Sequence, residues 1–103
     1  MRAGESYVVV AYDIPDDRRR AKLARLLAGY GDRVQRSVFE CDLRPSEYEE
    51  LVKRVGRMWC EGDLIRIYRL TKQAALAIVR FGGPGLVETP YLTIIAGADG
   101  DRE

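Results

Sequence analysis

The stretch Ser6-Tyr-Val-Val-Val-Ala-Tyr-Asp-Ile14, followed at once by Pro15-Asp-Asp-Arg-Arg-Arg20, decides how this chain folds. Six apolar or aromatic residues from Tyr7 to Tyr12 read as a strand buried on both faces. Asp13 then stands where the strand leaves the core. Beyond Pro15 the next helix opens on three arginines, with Asp16 or Asp17 placed to cap it. An acid and a cluster of cations therefore meet at one strand end, in a chain with no histidine. That set suits a metal ion and phosphate better than acyl transfer.

Working outward, Leu23, Leu26, Leu27 and Tyr30 fall at helical spacing and make the buried stripe of the first helix, which closes at Gly29 and Gly31. Arg18, Lys22 and Arg25 form a second stripe facing away. Val34 to Leu43 is β-rich and reads as one bent strand or as two short ones broken near Ser37. Ser46-Glu47-Tyr48-Glu49 reads as a capping box. The helix it opens is expected to bury Tyr48, Leu51, Val52, Val55, Met58 and Trp59 and to stop at Gly62.

Asp63 to Leu70 reads as a strand, Thr71 to Leu76 as a single helical turn, Ala77 to Phe81 as a further strand, and Gly82-Gly83-Pro84-Gly85 as a turn. Tyr91 to Ile95 is a last apolar β segment, and residues 96–103 read as a disordered tail. Alternating strands and helices, each helix with one apolar face, predict an α+β fold. It is the ferredoxin-like split βαβ sandwich, with two helices on one face of a small antiparallel sheet. Residues 1–95 form the single domain of this reading.

Composition narrows the function. At 103 residues, 47% apolar and 32% charged, the chain is a single globular unit, small enough that oligomerisation is a common route to more buried surface. No run approaches the ~18 apolar residues of a membrane span, and no secretory signal is evident. Cys41 and Cys60 lack the partners of a zinc site and read as reduced thiols of a cytoplasmic protein. The net charge is only +1, yet Arg18 to Arg36 holds seven cations (Arg18, Arg19, Arg20, Lys22, Arg25, Arg33, Arg36) against one acid, Asp32. Segregation of this kind favours an anionic partner, and arginine matches phosphate oxygens bidentately.

Asp13 reads either as a turn carboxylate or as a metal ligand. One carboxylate is a poor site for Mg²⁺, but a two-fold dimer that brings Asp13 against its own copy supplies the second. Tyr12 and Phe39 read as core aromatics, with base stacking open to them only if they reach the surface beside the arginines.

Together, Tyr12-Asp13-Ile14, then Asp16-Asp17 and the arginines, then Arg33-Val-Gln-Arg-Ser-Val-Phe-Glu-Cys41, resemble the Cas-two family of CRISPR-associated proteins. Asp63-Leu-Ile-Arg-Ile-Tyr68 and the closing apolar segment fit the same pattern. The resemblance implies a homodimer acting in spacer acquisition beside the CRISPR integrase subunit, with Mg²⁺-dependent cleavage of RNA or double-stranded DNA. It implies that Asp13 is the Mg²⁺ ligand shared across the dimer and that Tyr12, Arg20, Arg33 and Phe39 support catalysis. Arg18, Arg19, Lys22, Arg25 and Arg36 are the residues expected to hold nucleic acid. It also implies that Tyr91 to Ile95 crosses onto the partner. A non-catalytic DNA-holding scaffold for the integrase is the alternative function.

Overall fold

A computed structural model of the protein describes residues 6–83. Its elements run β1 (Ser6–Asp13), α1 (Asp17–Ala28), β2 (Gly31–Gln35), β3 (Val38–Leu43), α2 (Pro45–Met58), β4 (Leu64–Leu70) and α3 (Lys72–Leu76). The strands form one antiparallel sheet in the order β2-β3-β1-β4, which is the ferredoxin-like arrangement expected. The β-rich stretch resolves into two strands. β2 and β3 form a hairpin that turns at Arg36 and Ser37, with a register shift between Arg33 and Gln35. β2 starts at Gly31 because only glycine fits there: a Cβ would lie 2.3 Å from the Glu40 carbonyl oxygen.

β1 is central, and its alternation divides the molecule into two layers. Val8, Val10 and Tyr12 join Phe39, Cys41 and Leu43 on one face, where Leu23 and Leu27 of α1 and Leu51 and Val55 of α2 seal them into the main core. Tyr7 and Val9 point to the other face, where, among the described residues, the apolar side chains of Ala75, Leu70 and Ile78 gather around them. The two long helices thus cover a single face, and the short α3 covers part of the other.

Local chemistry sets the element ends. Asp16 caps α1, its carboxylate accepting from the Arg19 N–H at 2.8 Å, and the Gly29 N–H closes the helix on Leu26 and Leu27. The α2 start differs from the capping box centred on Ser46. Arg44 is the N-cap, and Pro45 takes the first helical position, where a missing N–H leaves nothing unpaired. Glu47 then accepts from the Arg44 N–H at 2.8 Å.

α2 ends at Met58 rather than Gly62, and its buried stripe is narrower than expected. Val52 is 39% exposed and Trp59 is 51% exposed, because Trp59 lies past the helix and donates its indole N–H to the Asp63 carbonyl. Asp63 precedes β4 in a tight turn, its N–H bound to the Cys60 carbonyl at 3.0 Å and Gly62 at φ 98°.

Ala77 to Phe81 is not a strand. The Ala77 N–H continues the α3 turn onto Gln73 and Ala74, and Arg80 then reaches Tyr7 and Glu40 on the sheet face. Anchored there, the segment packs on the face of the sheet instead of extending it. Gly82 and Gly83 both have positive φ, as a turn requires. Pro84 and Gly85, the β segment at Tyr91 to Ile95 and the tail at 96–103 lie outside the described residues.

Candidate functional site

Asp13 is the last residue of β1, exposed, and directly paired with Leu64 of β4. By alternation it belongs with Tyr7, Val9 and Ala11, on the face opposite the long helices. Its carboxylate makes no hydrogen bond or ion pair among the described residues. That carboxylate is open to an external cation.

Arg20 braces the junction behind it. Its guanidinium donates to the Ile14 carbonyl at 2.8 Å and to the Asp17 carboxylate. Both contacts fix the chain just after Asp13, so Arg20 shapes the strand exit and is tied down on α1. Tyr12 and Phe39 are in the main core, 6% and 2% exposed, with ring centroids 6.4 Å apart and planes inclined by 26°. Base stacking is therefore closed to both. Arg33 lies over the Phe39 ring at 5.5 Å, a cation–π contact at the sheet edge. These three form one cluster on the helix-covered face, whereas Asp13 stands on the other side of the sheet. The Tyr12 hydroxyl is buried with no hydrogen-bond partner among the described residues.

The structure reassigns Arg19. Expected on a nucleic-acid surface, it forks onto the buried Asp63 carboxylate and also donates to the Met58 carbonyl at 2.7 Å. Asp63 accepts in addition from the Cys60 N–H at 2.9 Å. The Arg19 hydrogen bonds, more than its charge, hold the Asp63 carboxyl down to about 2, while burial opposes them. The same pairing raises Arg19 further above its ordinary range. This contact ties the start of α1 to the α2–β4 turn. It is an internal fastening that local spacing does not announce, because the partners stand 44 residues apart.

Arg18, Lys22, Arg25 and Arg36 are exposed, as expected, and none makes an ion pair or side-chain hydrogen bond among the described residues. The reading of cation density stopped at Arg36 and missed two residues of α2. Arg54 and Arg57, three apart on α2, line a cavity of about 490 Å³ together with Lys22 and Arg25 of α1. Helical spacing of the two pairs was the available signal.

No group of three potential metal-ligating side chains occurs among the described residues. The exposed, unpaired Asp13 carboxylate fits a hard cation that takes one or two carboxylates and fills its remaining positions with water.

An α+β sheet sandwich with a lone acid at the end of its central strand and cations on its helices defines the class. A family model for CRISPR associated protein Cas2 matches residues 6–77. The chain is 48% identical over 88 residues to the CRISPR-associated endoribonuclease Cas2 3 of Synechocystis sp., covering 84% of this chain and 96% of the relative. It superposes on Streptococcus pyogenes Cas2 with a TM-score of 0.63 at 34% identity, covering 74% and 99% of the two chains. A chain of a partial Cas6-RT-Cas1–Cas2 complex matches with a TM-score of 0.65 at 30% identity, over 82% and 99%. The chain belongs to the Cas2 family.

Proposed function

We propose that this chain is a CRISPR adaptation protein that cuts RNA or double-stranded DNA with Mg²⁺ and holds nucleic acid for an integrase subunit. The observation that carries this reading is the exposed, unpaired Asp13 carboxylate at the end of the central strand. The Synechocystis relative, named an endoribonuclease, supports the cleavage role. The Cas1–Cas2 complex that contains a similar chain supports the integrase partner.

The working form of this reading is a homodimer. The face that carries Asp13 exposes Leu64 and Tyr68 on β4. A second copy laid on that face covers these side chains and brings the partner subunit's Asp13 toward the first. The two Asp13 carboxylates would hold Mg²⁺, which when bound would supply Lewis-acid stabilisation of the phosphate. Asp13 binds the cation, Arg20 keeps the strand exit in place through Ile14 and Asp17, and the exposed cations orient the phosphodiester and offset its charge. No histidine competes as a base.

A scaffold that holds DNA without cutting it is the second reading, favoured by the lone carboxylate of each chain and by the cation surplus on α1. One experiment separates them. Labelled RNA and duplex DNA are incubated with the protein and with Asp13→Asn, with and without Mg²⁺. Cleavage that requires Mg²⁺ and drops by orders of magnitude in Asp13→Asn is the expected result, with duplex binding kept. Equal cleavage by both proteins overturns the metal role. No cleavage by either, with spacer integration intact in both, establishes the scaffold.

A further inference from the structure

We infer that the groove between α1 and α2 is a phosphodiester-binding site in its own right, built from Lys22 and Arg25 on one helix and Arg54 and Arg57 on the other. The inference deepens the nucleic-acid reading above, on which it rests, by assigning a face and two residues of α2 that the α1 stripe alone does not include. Leu26 and Met58 complete the lining of this cavity, which holds four cations and no carboxylate.

Lys22, Arg25 and Arg57 have no ion-pair partner among the described residues, so their charge is not neutralised within that part of the chain. Arg54 is held in place: it donates to the Tyr30 hydroxyl at 2.9 Å, lies over the Tyr30 ring at 5.6 Å, and Tyr30 in turn donates to Glu50. Arg54 is thus fixed in position beside three cations, one lysine and two arginines, whose charge has no partner among the described residues.

The groove has a direction. Past Arg25 and Arg54 it continues into a second cavity of about 400 Å³ lined also by Asp42, Glu47 and Glu50. An anion is attracted at the Lys22 and Arg57 end and repelled at the other. That cationic end is also the Asp13 end of the sheet, since Arg19 near the start of α1 binds the Met58 carbonyl at the end of α2. A polyanion therefore crosses the groove near Lys22 and Arg57 instead of following it toward Glu47. Arginine forks suit phosphate oxygens, and no exposed aromatic lines the cavity to stack a base. Binding there depends on charge and hardly on sequence. The groove lies on the helix face, away from the surface proposed to pair with a second copy, so both are available at once.

The test is duplex binding by fluorescence anisotropy over a range of salt, using the full chain, Lys22→Gln/Arg57→Gln, and the control pair Arg44→Gln/Lys72→Gln. The control removes the same charge at the far end of the sheet, beside the Ser6 pairing. Each phosphate contact contributes about 0.9 to the log–log salt slope, so the groove pair should flatten it by about two and the control should leave it in place. A labelled RNA of the same sequence, run in parallel, shows whether the groove takes either nucleic acid.

Equal flattening by both pairs reduces the effect to overall charge and overturns the site. So does parent-like duplex binding by the groove pair. Failure of the nuclease reading looks different: the parent binds duplex through the groove but never cleaves.

Discussion

The two faces of one sheet are built from the same strand and end up with different degrees of closure. Val8, Val10 and Tyr12 of β1 are covered by two full helices, and the core they share with Leu23, Leu27, Leu51 and Val55 is closed within the chain. Tyr7 and Val9, their immediate neighbours, share a smaller apolar cluster with Ala75, Leu70 and Ile78 among the described residues. The same face leaves Leu64 at 66% exposure. Its polar centre is also distinctive: Tyr7 donates to Glu40, and Arg80 donates to both, at 2.9 and 2.8 Å. A buried acid is tolerated there because a cation and a hydroxyl satisfy it. The helix face completes the fold; the opposite face, by this account, is completed by another molecule.

The sharpest way to break this contrast is to weaken each face in turn. Leu51→Ala removes a fully buried side chain from the closed core and should destabilise the chain by about 2–5 kcal/mol, read from urea unfolding. A loss below about 1 kcal/mol would mean that the helix layer is not the main core. Leu64→Asp on the opposite face should leave the circular dichroism spectrum unchanged and convert the oligomer to single chains at a concentration where the parent is assembled. An unchanged oligomer would remove Leu64 from any interface.

A smaller effect is expected at the fastening between α1 and the α2–β4 turn. Asp63 has a depressed carboxyl, about 2 against an ordinary 3.8, so its pairing with Arg19 stabilises the fold above pH 3.8 and is lost as pH falls through 2. The stability difference between parent and Asp63→Asn should therefore be constant at higher pH and shrink across that window. A difference that persists to pH 2 would show that the charge of Asp63 contributes nothing. The least perturbing probe is chemical. Burial, helped by Asp32 and Glu40, pushes the Cys41 thiol up to about 12, while Cys60 is exposed. A thiol reagent near the ordinary thiol range of about 8.5 should label Cys60 alone until the chain is unfolded. Rapid labelling of Cys41 in the native protein would contradict a closed helix-face core.

Much of this was legible in the residues, and the parts that were not share a cause. The apolar run Tyr7 to Tyr12 gave the central strand, because burial on both faces leaves no polar alternation. Asp16 and Gly29 marked the ends of α1 through local hydrogen bonds that sequence spacing encodes. The β2–β3 hairpin stayed ambiguous because Arg36-Ser37 is not one of the Asn-Gly or Asp-Gly pairs that announce a two-residue turn.

Long-range pairing was invisible. Arg19 and Arg20 look alike in the sequence, yet one reaches Asp63 and the other Ile14 and Asp17. Ala77 to Phe81 has the composition of a strand, and the Arg80 contacts to Tyr7 and Glu40, with Ile78 packed beside Tyr7, set it on the sheet face instead. At the candidate site, the exposed carboxylate of Asp13 was readable from its position at the strand end. The burial of Tyr12 and Phe39 depended on which side of the sheet alternation placed them. Arg54 and Arg57 were missed because their relation to Lys22 and Arg25 exists only once the helices pack side by side.

The central claim is that the face bearing Asp13 is closed by a second copy of this chain. Light scattering on the intact chain at micromolar concentration tests it most directly. The account predicts a mass twice that of the 11.7 kDa chain, whereas a well-behaved 11.7 kDa monomer would contradict it.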